Sequence, residues 1–434
     1  MDYKKIVPFA LAPADMGYRG HILGAFQALS EVTGNVYEED KLFIIPDGSS
    51  NYQEVKMPLF ASKYQTYSEF KAKVFELLDD YFAKIEIIPK IFITVYNPTE
   101  SNRPAENAEA LCHAVKAYYI SRKLGRVMTV VLTSKYYKYR YVDLINIPKH
   151  LMTFALRIRL IRNQKLHKKV LVTVGTINNF SRKAMQEKYQ ILQETMNQLK
   201  TDKNMVDIIQ KLKDYQNKSK KVVFCLGGRV EGSEIIFDVN YAQKLYSDAE
   251  KLAKQGYGIV FVNGPRTPNS IADYLYEKTQ NNQNIIFHNC KRIAQGEEDR
   301  QPSRWRIYSG PYEEQFKIMQ KFGNIYPGIL GFENTLVVHT MDSYSSCETS
   351  CAGIPTAISG KGLYIDPLIR YDCLNLAQLL CPKYAVDFDE FVNMACHMKI
   401  EPRDLQPSIL SSPLRVFAET ALKRLKRMEK KIQN

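Results

Sequence analysis

Short apolar, β-branched runs alternate with stretches of helical spacing along most of this chain. In the second half, 222–226, 259–262, 285–288, 336–338 and 355–358 read as buried strands. Between the first two lies 239–254, with Ala242, Leu245, Ala249 and Leu252 on one helical face. Strands at 91–96, 127–132, 142–147 and 170–174 and helices at 67–85 and 105–124 repeat the alternation in the first half. Parallel strands need long crossovers, and helices of this length supply them. The pattern therefore predicts an α/β fold: two Rossmann-like, doubly wound domains facing a cleft.

The 434 residues, 45% hydrophobic and 24% charged, suffice for two or three domains. The expected division is 1–216, carrying an insertion at about 34–90; 217–411; and a basic amphipathic C-terminal helix at 412–434. No apolar run reaches the length of a membrane span, and the N-terminus lacks a signal-peptide pattern. Eight cysteines without paired spacing read as reduced thiols, so the expected location is cytoplasmic. A net charge of +14 suits nucleic acid, an anionic membrane or an anionic substrate. No aromatic RNA-binding motif or zinc-finger spacing appears, so nucleic acid is not an expected partner. The stripe Leu414, Phe417, Ala421, Leu425, Met428 and Ile432 could lie peripherally on an anionic membrane. A terminal helix packed across the domain boundary explains it more simply.

The stretch 335–361 reads as strand, polar loop, helix start, short helix, glycine stop and strand. Such a loop lies at the carboxyl edge of an open sheet, where ligands bind. A helix N-terminus there offers backbone N–H groups to a phosphate. Loops at 227–229 and 264–268 leave neighbouring strands at the same edge. In the first half, His21 follows a glycine-containing loop near the start of a helix, where a neutral imidazole could act as a general base. A histidine that merely bonds the loop is the plainer reading. Cys347 or Cys351 with His339 could form a thiol hydrolase, but small buried cysteines on a helix more often pack. No metal-ligand spacing occurs, so no metal and no bound cofactor are expected.

Several of these residues, taken in order, carry a resemblance. They are Gly20-His21; 143–150, DLINIPKH; 171–178, LVTVGTIN; Gly227-Gly228; Arg266-Thr267-Pro268; Pro311-Tyr312; and the series Thr340, Asp342, Ser343, Glu348, Gly353, Pro355. The chain resembles the mitochondrial-fission family named for the plant elongated-mitochondria protein. Thr349 stands where that family usually has alanine, and the step from Asp342 to Glu348 is one residue short of its pattern. The resemblance implies a fold similar to GT-B glycosyltransferases, with a nucleotide-diphosphate sugar as donor and an unknown acceptor. Asp342, Ser343, Ser345 and Glu348 would hold the nucleotide diphosphate and ribose. Gly228, Arg266 and Thr267 would hold phosphate, and His21 would be the catalytic base. The same resemblance also implies an alternative, a non-catalytic adaptor that recruits a dynamin-like or membrane partner.

Overall fold

The computed structural model describes residues 6–11, 16–37, 42–44, 66–95, 108–132, 140–180, 182–202, 205–227, 238–264, 267–280, 282–289, 325–340, 348–350, 352–360, 385–397, 401–402 and 413–433. The chain divides into two compact units. The first is Met1–Asn179 with Ser411–Asn434, and the second is Phe180–Leu410.

The first unit runs β1 (Pro8–Leu11), α1 (Met16–Thr33), β2 (Phe43–Ile44), α2 (Tyr67–Phe82), β3 (Ile91–Val95), α3 (Ala108–Ser121), β4 (Met128–Leu132), β5 (Leu144–Pro148), α4 (Phe154–Arg162) and β6 (Val170–Thr173). The strands form one parallel sheet in the order β2-β1-β3-β4-β5-β6. β3, β4 and β5 are buried along their whole length, as expected of a parallel sheet covered on both faces. One face holds Ile22, Phe26 and Leu29 of α1 against Ile91, Ile93, Met128 and Val130. An aromatic layer builds on Phe9 and Phe92, whose ring centroids lie 5.1 Å apart, with Tyr81, Phe82 and Tyr119 around Phe9.

The second unit runs α5 (Arg182–Gln198), α6 (Val206–Asn217), β7 (Lys220–Leu226), α7 (Val239–Lys254), β8 (Tyr257–Asn263), α8 (Asn269–Gln280), β9 (Ile285–Asn289), a turn of helix at Tyr326–Ile329, β10 (Thr335–Thr340), β11 (Thr356–Ser359), β12 (Ala385–Asp387) and α9 (Phe388–His397). Its sheet is also parallel, in the order β12-β11-β10-β7-β8-β9. Counted within the unit, that is the Rossmann order 3-2-1-4-5-6 read from the β9 edge. Side chains alternate faces along each strand. Val222, Phe224, Leu336 and Val338 therefore pack with α7, α8 and α9. Val223, Val260 and Val337 pack with α5 and α6 on the other face. α7 begins where Asp238 accepts a hydrogen bond from the Tyr241 amide, and it buries Ala242, Leu245, Ala249 and Leu252. The last helix, α10 (Pro413–Gln433), returns to the first unit. There Phe417, Ala418, Ala421, Leu422 and Leu425 join the α1 face of the core.

The expected fold class, two doubly wound Rossmann-like domains, is the one observed. The units divide differently from the expected 1–216, 217–411 and 412–434. Residues 182–217 belong with the second sheet, because Met185, Leu192, Met196, Ile209 and Leu212 find their apolar partners there. The 412–434 segment completes the first core. Nor is 34–90 a mere insertion. Its β2 pairs with β1, and its α2 buries Phe70, Val74 and Leu78 behind a Thr66–Glu69 capping box.

Candidate functional site

In a doubly wound sheet the natural ligand position lies beyond the carboxyl ends of the strands where the strand order reverses. In the second unit that point falls between β7 and β10. A side chain bridges it: the Gly227 amide, just past β7, donates to Thr340 Oγ1 at the end of β10, at 2.7 Å. Thr267 draws in the exit of β8. Its hydroxyl accepts from the Gly264 amide at 2.9 Å and donates toward Gly227 O at 2.8 Å and Leu226 O at 3.1 Å. Thr267 is fully buried. Two threonine hydroxyls thus tie three strand exits together. At the end of β11, Ser359 Oγ lies 2.5 Å from the Tyr241 hydroxyl of α7.

After β10, residues 348–350 lie in a helical turn. Its end is a Schellman closure. The Ile354 amide donates to Thr349 O at 3.1 Å and the Gly353 amide to Ser350 O at 3.0 Å, with Gly353 at φ +78. A side chain at 353 would be strained in that left-handed conformation. This is the strand, short helix, glycine stop and strand read from 335–361. Glu348, in that turn, is half-buried.

A buried polar chain lies beneath the turn. Thr356 Oγ1 donates to Ile354 O at 2.9 Å, so it accepts from Thr349 Oγ1 at 3.2 Å. Thr349 Oγ1 then accepts from His339 Nε2 at 3.0 Å. These directions assign the proton of the His339 ring to Nε2. Nδ1 is buried with no partner among the described residues. Burial pushes the pKa of His339 down to about 3. His339 is therefore a neutral, solvent-free tether for the Glu348 turn. The thiol-hydrolase reading needs this ring accessible, and it is 0% exposed.

In the first unit, α1 begins at Met16, so His21 lies in the second helical turn and not at the helix start. The helix dipole, which fades beyond the first turn, does not set its role. A carbonyl does. His21 Nδ1 donates to Ile177 O at 2.5 Å. The loop after β6 is pressed onto α1 here: the Asn179 amide donates to Gly20 O at 2.9 Å. A Cβ at Gly24 would lie 2.1 Å from the Asn178 backbone. Asn178 is braced by Thr176, its Nδ2 donating to Thr176 Oγ1 at 3.0 Å.

Of the eight residues proposed from the sequence to act on or hold the substrate, His21, Thr267 and Glu348 are described. Gly228, Arg266, Asp342, Ser343 and Ser345 lie outside the described residues, as do Cys347 and Cys351. Sequence reasoning missed the Gly24–Asn178 contact, the Thr340 bridge and the His339–Thr349–Thr356 chain. The one available signal was Thr349, noted as a departure from the family's alanine. Among the described residues no cluster of histidine, cysteine and carboxylate side chains could hold a metal ion. No described helix is long and apolar enough to cross a membrane.

No curated protein matches the chain. Among solved structures, it is similar to UDP-GlcNAc 2-epimerase from Methanocaldococcus jannaschii, at 11% identity over 97% of this chain and 99% of that one, with a TM-score of 0.45. The Neisseria meningitidis UDP-GlcNAc 2-epimerase bound to UDP-GlcNAc gives 12% identity, 96% and 99% coverage and a TM-score of 0.41. A glycosyl transferase family 9 protein from Veillonella parvula gives 12% identity, 99% and 98% coverage and a TM-score of 0.38. Likenesses this distant carry no argument about ligand or reaction. The family model described as Mitochondrial fission ELM1 matches residues 112–299. That span includes DLINIPKH, LVTVGTIN, Gly227-Gly228 and Arg266-Thr267-Pro268. Residues 112–299 thus match the model of the mitochondrial fission ELM1 family, the one the ordered motifs resemble.

Proposed function

We propose that the protein is a GT-B-like glycosyltransferase whose second unit binds a nucleotide-diphosphate sugar. The observation that carries this reading is the β7/β10 switch point, where Thr340 and Thr267 tie three strand exits at the edge from which residues 228, 266 and 341–347 depart. The reading assigns the diphosphate to Gly228, Arg266, Ser343 and Ser345, with Arg266 making a charge-assisted bond. Asp342 belongs to the same stretch of sequence as Ser343 and Ser345, and Glu348 takes the ribose hydroxyls. Thr267 holds the loop's shape, its hydroxyl being engaged within the scaffold. In the reaction, an acceptor oxygen bonds to the sugar's anomeric carbon. The bond from that carbon to the diphosphate oxygen breaks, and the nucleoside diphosphate leaves with the electron pair. His21 Nε2 takes the acceptor proton, its tautomer held by Ile177 O.

Calorimetric titration of the folded protein with a panel of UDP- and GDP-sugars tests the reading. Binding of at least one is expected, weakened about tenfold or more by Arg266→Ala or Glu348→Gln. His21→Ala should leave donor binding intact and lower transfer by about 10²- to 10⁴-fold. A folded sample that binds none of the panel overturns the proposal. The second reading is a non-catalytic adaptor, the alternative that the family resemblance also implies. A partner interaction that survives both His21→Ala and Glu348→Gln, without any donor binding, would establish that reading instead.

A further inference from the structure

The helix α4 turns an apolar stripe outward. Thr153 caps it by accepting from the Leu156 amide at 3.2 Å, and Leu156 and Leu160 anchor its inner side in the first unit. Phe154 and Ile161 are 75% and 79% exposed, and Ile158 is half-buried. The helical period puts residues 154, 158 and 161 on one line, opposite Leu156 and Leu160. Exposed Arg157 borders the line on one side, and Arg162 and Arg159 border it on the other. Along the chain, the charge on either side of the stripe has a single sign. Residues 149–169 contain seven Lys and Arg and no Asp or Glu, and no acid occurs anywhere from 144 to 186.

A second cationic face lies on α10, in the same unit. Arg424 donates to Asp143 O at 2.7 Å and Lys169 O at 2.9 Å, which fixes α10 beside the start of β6. Lys423, Lys426, Arg427 and Lys430 are exposed on that helix, while its apolar side is buried in the core. α10 therefore contributes charge without an apolar face to insert. α4 has both. An apolar line one helix wide between rows of arginine fits the headgroup boundary of a bilayer, where the rings and aliphatic chains enter and the guanidinium groups stay with phosphates.

We propose that α4, through Phe154, Ile158 and Ile161 flanked by Arg157, Arg159 and Arg162, docks the first unit onto an anionic lipid surface. The uniform positive charge selects this occupant over a second copy of the chain, which would bring the same cations against it.

Flotation of the full chain with phosphatidylcholine vesicles, with and without phosphatidylglycerol, tests the proposal. Wild type should float only with the anionic vesicles and be released by high salt. Phe154→Asn/Ile161→Asn and Arg157→Gln/Arg162→Gln should each weaken binding about tenfold or more, with thermal midpoints unchanged. Should the first pair fail to fold, Phe154→Trp gives an independent readout. Its emission, after subtraction of the wild-type signal from Trp305, should shift to the blue with anionic vesicles alone. The proposal is overturned if wild type stays unbound, if the double variants float like wild type, or if the tryptophan at 154 does not shift. It is also overturned if Phe154→Asn/Ile161→Asn abolishes self-association, or capture of a protein partner, while vesicle binding persists.

Discussion

At the scale of single residues, buried hydroxyls and imidazoles with specific partners shape the strand exits of the second unit. Thr349 is the clearest case. Its hydroxyl accepts from His339 and donates to Thr356. Thr349→Val keeps the shape but leaves the His339 Nε2–H and a Thr356 lone pair unpaired, a cost of about 1–3 kcal/mol. Removing both partners, as in His339→Leu/Thr349→Val, should recover part of that loss in a double-mutant cycle followed by urea unfolding. The sequence marked Thr349 as unusual, yet its partner ten residues away could not be inferred without the β10–β11 register. His288 and His339 add a pH dependence. Burial lowers their pKa values to about 4 and about 3, against roughly 6.5 in the unfolded chain. Between those values the unfolded state binds the extra protons, so stability is fully present above about pH 6.5 and falls as pH drops toward about 4. The loss approaches about 1.4 kcal/mol per pH unit for each histidine. His288→Leu should remove one share of that slope, read from urea midpoints across the same window.

At the scale of elements, α10 shows what spacing conveys and what it omits. Its apolar stripe was legible, but the surface that covers it was not. The Arg424–Asp143 contact spans 281 positions, and no local pattern encodes such a pairing. With Phe417, Leu422 and Leu425 buried in the first core, each worth about 1.5–3 kcal/mol, α10 is structural to that unit. Deleting 413–434 should therefore unfold or aggregate the first unit, seen as loss of its cooperative thermal transition. A loss of partner binding in that deletion would carry no information about the partner. Lys423→Gln/Lys426→Gln/Lys430→Gln alters the same face on a folded protein, with a midpoint within a degree or two of wild type expected from the small effect of exposed substitutions. α2 teaches the same lesson in reverse. Its helical period was clear in the sequence, but only the rings of Tyr81 and Phe82 against Phe9 make it part of the sheet's covering layer.

At the scale of the whole molecule, the alternation of strands and helices made both parallel sheets readable, because each crossover leaves its own periodic trace. The division between units was not readable. Residues 182–217 are charged and helical, and in sequence they extend the first half as naturally as they open the second. Three-dimensional partners decide: Leu212 is fully buried beneath the second sheet with Ile209, Val260 and Val337. Each unit has its own apolar core, so two calorimetric transitions are expected in place of one. Leu212→Ala should lower one of them, by the 2–5 kcal/mol typical of such a truncation, and leave the other in place. A nucleotide-sugar held at the β7/β10 switch point binds the folded second unit and not its unfolded chain. At about a hundredfold excess over its dissociation constant it should add about 2.7 kcal/mol to that unit. The transition lowered by Leu212→Ala must then be the one the donor raises. If the donor raises the other transition, 182–217 and the donor site belong to different cooperative units, and the assignment of the donor to Phe180–Leu410 fails.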